Sequence, residues 1–320
     1  MKLTQEIKKG ALLVTQNAQH VIVNEHKIVS YSKSICTNEK IILDLDEEAH
    51  FTNGTDEEKA GYIICLDSIN FGSGYFHDLK KRPGLSGYRT IAQCLKDHFI
   101  NNGILSPLDL SNITANDCFE IFEQDNNNKE VSGLIKLFSE ALKQTGEHIV
   151  DNYENSYTQF VLQAKNSADR LIKQLLEISY FNDHVEYKGK TIPVLKRAQI
   201  TVADLNLIFK GQGLGYFHDY DQLTAFADNV IPHVLYLDGI LDYSPELIET
   251  IKKEKEIAPN SIEETELRLC AIYAIERIKE EAIKADHTIT AVNIDHILWE
   301  RGHEPYYLKS PRHRTRTARY

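Results

Sequence analysis

The stretch that decides the fold runs from residue 262 to residue 284 and reads IEETELRLCAIYAIERIKEEAIK. Its apolar residues recur at intervals of three and four, which is the spacing of one buried helical face. The residues on that face are Leu267, Cys270, Ala271, Ala274, Ile275 and Ile278. We expect Glu264, Arg268 and Glu281 to lie on other sides of the helix. The pattern predicts a long helix that packs along one face.

Helical spacing dominates the rest of the chain as well. Leu134, Leu137, Phe138, Ala141 and Leu142 follow the same pattern, and a further helical run extends from residue 56 to residue 69. Strand-like alternation is scarce. Its best example is the pair of segments 184–187 and 191–194, joined by Lys188-Gly189-Lys190, which predicts a small hairpin. The predicted class is all-α with one small β-hairpin.

Length and composition limit the classes of protein that fit. A chain of 320 residues with 42% hydrophobic content can bury a large core, and we expect one domain over residues 1–320 with two lobes around a cleft. The five cysteines are scattered, no signal-peptide core is present, and no run reaches the roughly 20 apolar residues of a membrane span. These features predict a cytoplasmic protein that does not bind membranes.

The net charge and the spacing of the histidines argue against two further classes, proteins that bind duplex DNA and proteins that hold a metal ion. The formal net charge of -11 repels long polyanions such as duplex DNA, so a small ligand fits better. No His-x-x-x-His pair and no Cys-x-x-Cys pair occurs, which leaves a metal site with little support. We expect neither metal nor cofactor.

The first candidate motif is LDSINFGSG, residues 66–74. On a helix Asp67, Asn70 and Phe71 are spaced i, i+3 and i+4, so they project from one face next to a glycine-rich turn. A carboxylate, an amide and an aromatic ring together suit a flat heterocyclic base. The alternative is structural: Phe71 belongs to the core, Asp67 is solvated, and the glycines end the helix.

Two more segments carry candidate residues. Lys196 stands near the start of an apolar helical run, where a lysine either reaches the surface or is held near a carboxylate in a pocket. Asp228 lies just before a helix that we expect to begin near Ile231 and to continue through Tyr236. It is either an N-cap or a carboxylate that faces a cleft and stabilises a developing cation.

The last residues of the chain are basic. No acid interrupts the cations of the tail, which are Lys309, Arg312, Arg314, Arg316 and Arg319. Such a group can hold one phosphate, because guanidinium groups match phosphate oxygens. A rival interpretation is that the tail folds back as a structural brace with Tyr320 packed inside.

At these segments the sequence resembles the queuosine salvage protein family, the queuosine 5′-phosphate N-glycosidases. The resemblance extends from Asn17 to Tyr320 and is carried by residues 66–71, 86–88, 166–168, 196–200, 226–228 with Pro232, and the tail His313-Arg314-x-Arg316. It implies an all-α fold similar to the helix-hairpin-helix DNA glycosylases. It also implies release of queuine from the nucleoside 5′-phosphate without a metal. The segment 72–76 departs from the pattern of the eukaryotic members, and Asn229 stands where an aromatic residue often follows the family's Asp. These departures leave the contacts to base and ribose open.

The resemblance also implies roles for individual residues. Asp228 and Lys196 match the family's catalytic Asp and Lys, so we expect Asp228 to stabilise a cationic transition state and Lys196 to pair with it. We expect Asp67 and Asn70 to bind the base, and Asp67 also to accept a hydrogen bond from the charged amine that the base carries. Phe71 or Phe226 is expected to stack on the base, and His50 to contact a hydroxyl. The residues expected at the phosphate are His313, Arg314 and Arg316.

Two rival functions remain at this level. A non-catalytic protein that captures queuine or queuosine nucleotides would share the base pocket but would not need Lys196 and Asp228 together. A DNA glycosylase would need a basic surface facing the duplex, which the net charge disfavours. The expected partner is therefore a small molecule, and the sequence names no partner protein.

Overall fold

The computed structural model describes residues 2–36 and 43–320 and is mainly helical, as the sequence predicts. The helices are α1 (Leu3–Asn17), α2 (Glu25–Cys36), α3 (Asp56–Ser68), α4 (Gly87–Asn102), α5 (Pro107–Asn112), α6 (Ala115–Ile121), α7 (Lys129–Asn152), α8 (Tyr157–Leu162), α9 (Ala168–Leu175), α10 (Lys196–Ile208), α11 (Val230–Leu237), α12 (Pro245–Lys252), α13 (Ile262–Lys284) and α14 (Ala291–Arg301). The strands are β1 (Val21–Val23), β2 (His184–Tyr187), β3 (Lys190–Pro193) and β4 (Leu241–Tyr243).

Helix α13 is the element around which one half of the chain is arranged. Helices α1, α2, α11 and α14 all pack against it. Its bounds agree with the predicted helix, and the Ser261 side chain accepts the Glu264 N–H at the N-terminus. Glu264 and Arg268, which were predicted on other sides of the helix than the apolar face, are fully buried as well, so α13 is covered on more than one face. An ion pair between them allows this burial, and periodicity alone does not reveal such a pair.

The predicted hairpin is confirmed as the antiparallel pair β2–β3, and its turn consists of Lys188 and Gly189. Both turn residues have positive φ, at 50° and 75°, which suits a two-residue hairpin connection. A second strand pair, β1–β4, was not predicted. Its strands have three residues each and lie far apart in the sequence, so neither produces a recognisable alternation.

The other half of the structure is built on α3, α7 and α10. Helix α3 packs against α7, α8 and α10, and its N-terminus carries a capping box formed by Thr55 and Glu58. The stripe predicted for α7 is confirmed: Leu134, Phe138 and Leu142 are fully buried. The packing of α3 on α10 brings the C-terminus of one helix close to the N-terminus of the other.

None of the helices in residues 2–36 and 43–320 has the length and apolar character needed to cross a membrane.

Candidate active site

Asp67 and Asn70 stand where α3 ends. Asp67 is in the last turn and has no solvent exposure. Its Oδ1 accepts a hydrogen bond of 3.1 Å from Nδ2 of Asn70. Its Oδ2 has no hydrogen-bond partner among the described residues. The buried carboxyl group therefore fixes the orientation of the Asn70 amide and keeps one oxygen without a partner.

Lys196 reaches the same point from α10. It is the first residue of that helix, and its Nζ donates to Asn70 Oδ1 at 2.8 Å and to the Asn70 carbonyl at 2.9 Å. The side chain is buried, so it does not reach the surface as one interpretation of the sequence allowed. The structure thus joins two of the predicted segments, 126 residues apart in the chain, through a direct contact.

Asp228 precedes α11 and is half-buried. Its Oδ1 accepts the main-chain N–H groups of Val230 at 2.6 Å and Ile231 at 3.3 Å. These bonds satisfy two of the unpaired donors at the start of the helix, as the N-cap alternative predicted. Oδ2 of the same carboxylate accepts no hydrogen bond from the residues that the structure describes, so capping and a second role for this group are compatible.

The expected ion pair between Lys196 and Asp228 is not formed within the described residues. The Lys196 ammonium is bound instead by the neutral amide and carbonyl of Asn70. The two charges still interact at longer range. Burial lowers the pKa of Lys196, and the negative charge of Asp228 is the strongest of the influences that oppose this lowering. Lys196 and Asp228 therefore share one electrostatic environment without a direct contact.

Asp295, on α14, is a carboxyl group that sequence reasoning missed. It is buried, and its Oδ1 accepts the Phe226 N–H at 2.8 Å. Burial, together with the charge of Asp228, raises its pKa to about 8. A signal was present in the sequence, because Asp295 follows Ala291 by four residues and precedes Leu298 by three. It therefore lies on the buried face of its own helix.

Asp204 is the second carboxyl group that was missed. It lies on α10 two helical turns after Lys196 and is buried. Burial raises its pKa well above the usual range, and the nearby charge of Asp67 acts in the same direction. Burial likewise raises the pKa of Asp67 to about 7. The buried carboxyl groups of Asp67, Asp204 and Asp295 therefore hold protons at neutral pH that exposed carboxylates would release.

The two phenylalanines that were predicted as stacking partners have different surroundings. The Phe71 ring is already covered, because it packs edge-on against Phe138 and lies 4.8 Å from the Arg197 guanidinium. This arrangement agrees with the core alternative. The Phe226 ring is 6% exposed and forms none of the ring pairs found within residues 2–36 and 43–320. Phe226 is therefore the better stacking candidate.

His50 is buried beside Tyr88. Its Nδ1 contacts the Asp46 carbonyl at 2.9 Å, and its Nε2 lies 3.0 Å from the Tyr88 hydroxyl. Burial lowers the pKa of His50, so the neutral ring is favoured at pH 7. Both ring nitrogens are engaged, and a ligand hydroxyl would have to replace or share the Tyr88 contact.

The basic tail folds back onto the loop that follows α3. Arg314 and Arg316 both bind Asp78 and Glu256, at distances between 2.9 and 3.6 Å. The fit is close at Gly74, where a Cβ would lie 2.2 Å from the Thr315 carbonyl oxygen. These contacts are those of the brace alternative.

The remaining tail residues divide into two groups. Tyr320 is 1% exposed, and burial lowers the pKa of His313 to about 3, so neither offers a charge to a phosphate.

Arg312 differs from Arg314 and Arg316, because it forms no ion pair in the described parts of the chain. Its Nη2 donates to the Gly302 carbonyl at 2.6 Å. Burial lowers its pKa, and Asp228 is the acid that opposes this lowering. Arg312 is therefore a tail cation whose charge acts on Asp228.

Other features of the described chain do not compete with this cluster. No group of three or more histidine, cysteine, aspartate or glutamate side chains in residues 2–36 and 43–320 is arranged to hold a metal ion. A surface cavity of about 700 Å³ lies beside α4, α5 and α6, but none of the residues named above lines it. Two of its acids, Asp109 and Asp117, are used as helix caps.

The fold and the site define a mainly helical protein that gathers a lysine, an asparagine and several partly protonated carboxyl groups in one buried cluster. The chain belongs to the Queuosine salvage protein family, whose model matches residues 49–320. The resemblance inferred from the sequence is thereby confirmed.

Three relatives illustrate the similarity, and each is named queuosine 5′-phosphate N-glycosylase/hydrolase. The protein from Sphaerobacter thermophilus is 30% identical over 318 residues, covering 96% of this chain and 95% of the relative. The protein from Dictyostelium discoideum is 32% identical over 303 residues, covering 93% and 89%. The mouse protein is 27% identical over 335 residues, covering 98% of both.

Proposed function

We propose that this protein is an N-glycosidase that hydrolyses the base–ribose bond of queuosine 5′-phosphate and releases queuine for salvage into tRNA. The observation that carries the proposal is the electrostatic influence of Asp228 on the buried Asp295, in a chain whose relatives bear that name along nearly their full length. One carboxyl group caps a helix at the edge of the cluster, and the other is buried and favours its protonated form at pH 7.

The chemistry of the base explains why carboxyl groups are needed on the sugar side. Queuine is a 7-deazaguanine with carbon in place of N7, so an enzyme cannot activate the leaving group by protonating that atom. The bond from C1′ to the base breaks with its electron pair on the base, and a cation develops on the ribose. Water then adds to C1′ and loses a proton. Asp228 stabilises the cation and positions or deprotonates the water.

The released base must gain a proton when the bond breaks. Asp295 has the properties of a donor, because burial raises its pKa to about 8 and the group keeps its proton at neutral pH. Its Oδ1 is fixed by the Phe226 N–H, so we assign the proton donation to Oδ2. In this account two neighbouring carboxyl groups in different environments act as acid and base.

The residues around Lys196 position the base and set the local field. Asn70 presents its amide to the ring edge, and Asp67 orients that amide from behind and accepts from the amine of the cyclopentenediol arm. Lys196, bound to Asn70, contributes positive charge that acts on Asp228. Phe226 stacks on the base, Phe71 supports the loop, and His50 contacts a hydroxyl. No metal or cofactor is needed for these steps.

The phosphate is assigned to the tail. Arg314 and Arg316 can contribute only if they exchange their carboxylate partners, whereas Arg312 has no carboxylate partner among residues 2–36 and 43–320. We therefore place the 5′-phosphate at Arg312, with Arg314, Arg316 and His313 bracing the strand that carries it.

We further propose a helix-hairpin-helix DNA glycosylase-like arrangement, as one domain with two lobes around a cleft, in a cytoplasmic protein. The helical content supports the first part, and five free cysteines support the location. The expected ligand is the small nucleotide, not a duplex or a membrane.

A multiple-turnover assay tests the activity. The protein is incubated with a large molar excess of queuosine 5′-phosphate, and free queuine and ribose 5-phosphate are quantified by chromatography. We expect many equivalents of each product per protein molecule. Stoichiometric binding without product would favour the capture protein instead.

A further inference from the structure

A buried ion pair between Asp183 and Arg268 lies beneath the candidate site. The guanidinium of Arg268, in α13, donates from Nη1 to Asp183 Oδ1 at 2.9 Å and from Nη2 to Oδ2 at 2.6 Å. The side chains are 0% and 2% exposed. Both carboxylate oxygens are thus engaged by one planar cation, the two-bond geometry that fixes direction as well as distance.

The same two side chains hold the main chain at Lys196 and at the residue before Asp228. Asp183 Oδ2 also accepts the main-chain N–H of Lys196 at 3.2 Å, at the first turn of α10. Arg268 Nε donates to the Ala227 carbonyl at 3.1 Å, and Ala227 immediately precedes Asp228. One ion pair therefore links the start of α10 to the start of α11.

The third segment of the site is joined through Tyr320. Its ring lies 4.5 Å from the Arg268 guanidinium, at cation–π distance. Its carbonyl oxygen accepts the N–H of Gly72 at 2.8 Å, two residues after Asn70. Lys196, Asp228 and Asn70 each lie within two residues of a main-chain atom that is hydrogen-bonded to Asp183, Arg268 or Tyr320.

Stability alone does not account for such an arrangement. Removing two charges from water costs several kcal/mol per ion, and apolar residues of similar volume often replace a buried pair without loss. Glu264, at 3.6 Å from Arg268, adds a further buried acid on the same helix. An ion pair with both partners also bonded to main-chain atoms can instead define the distance between two segments.

We propose that Asp183 and Arg268 are positioning residues that set the separation of Lys196 and Asp228. This inference rests on the proposed function but assigns no chemistry to the pair, because neither side chain reaches the substrate. A displacement near 1 Å at a reacting group costs about 100-fold in rate. Loosening the pair should therefore lower kcat far more than it raises KM, because the rate depends more steeply on the separation of reacting groups than binding does.

The test uses the full chain with Arg268→Lys and Asp183→Asn. Lysine keeps the charge but cannot reach both Asp183 oxygens and the Ala227 carbonyl together. Asparagine keeps the shape and an acceptor for the Lys196 N–H but removes the charge. Glu276→Gln is the matched control, because Glu276 lies on α13 like Arg268. The substitution breaks the ion pairs of Glu276 with Lys8 at 3.1 Å and with Lys279 at 2.6 Å.

All proteins are assayed well below their melting temperatures, and kcat and KM are measured separately. We expect about a 100-fold loss of kcat for both site variants with a much smaller change in KM, and wild-type kcat for Glu276→Gln despite a lower melting temperature. Wild-type kcat in a folded Arg268→Lys or Asp183→Asn protein would overturn the inference, as would loss of the fold in both. An inactive wild-type protein would instead refute the proposed function.

Discussion

Asp295 Oδ1 accepts the main-chain N–H of Phe226 at 2.8 Å, which places a buried carboxyl group beside the segment that carries Asp228. The bond joins α14 to the residue proposed to stack on the base. It also explains how one helix contributes an acid that the spacing of the sequence motifs did not identify.

The first prediction concerns the pH dependence of stability. Because the pKa of Asp295 is raised from 3.8 to about 8, the native state keeps a proton that the unfolded chain releases near pH 4. The contribution of Asp295 to the free energy of unfolding is therefore largest below pH 4, falls as the pH rises, and is lost above about pH 8. Asp295→Asn lacks this titration, so its melting temperature relative to wild type should rise between pH 5 and pH 8. A constant difference would contradict the buried, protonated acid.

The same variant tests the role of Asp295 in turnover. Asparagine can donate a hydrogen bond but cannot transfer a proton, so we expect kcat to fall about 100-fold. Wild-type kcat should decline as pH rises through about 8, where the acid loses its proton. Rate profiles between pH 5 and pH 9.5 check both statements, and an unchanged alkaline limb in wild type would count against the acid role.

A second prediction concerns Lys196→Met. Loss of the ammonium removes the positive charge that acts on Asp228, and we expect kcat to fall about 100-fold. Stability should be unchanged or higher, because burying a charge is costly and methionine fills a similar volume. Thermal melts and steady-state kinetics are the measurements. A protein that loses stability but keeps full turnover would assign Lys196 a structural role.

Arg312→Ala tests the phosphate assignment. A charged hydrogen bond contributes about 1.5–3 kcal/mol, so KM for the 5′-phosphate should rise between about 10-fold and 100-fold. KM for the free nucleoside should not change. Arg314→Ala serves as the comparison, because loosening the brace should affect both substrates alike. Equal effects of Arg312→Ala on the two substrates would exclude a contact to the phosphate.

Phe226→Leu and Phe71→Leu form a matched pair. Stacking of a base on an aromatic ring contributes about 1–3 kcal/mol, so Phe226→Leu should weaken queuine binding at least about fivefold. Phe71→Leu should lower the melting temperature and leave queuine binding nearly unchanged, because Arg197 and Phe138 cover that ring. Titration calorimetry and melting curves distinguish the two, and the reverse result would exchange their roles.

Much of the fold follows from local pattern. The bounds of α13 agree with the predicted segment, and the hairpin lies where alternation and a glycine turn indicated it. The pairing of β1 with β4 could not be predicted, because each strand has three residues and its partner lies about 220 positions away. Register between such short segments depends on tertiary packing rather than on local sequence.

The candidate site was less accessible to sequence reasoning. Asp67, Asn70 and Lys196 could be selected by motif, and the structure places them in one cluster. The burial of Arg268 was missed because a charged residue is normally assigned to the solvent side, and only the tertiary fold supplies its partner Asp183. The choice of Arg312 among the tail cations likewise required knowing which arginines already bind carboxylates.

The most direct test of the account is Asp228→Asn. Asparagine can still accept the N–H groups of Val230 and Ile231, so the free energy of unfolding should fall by less than the roughly 1 kcal/mol that losing an N-cap costs, and the melting temperature should change little. Removal of the negative charge should lower kcat for queuine release by about 100-fold to 1,000-fold while queuine still binds. A folded Asp228→Asn protein that releases queuine at the wild-type rate would contradict the account.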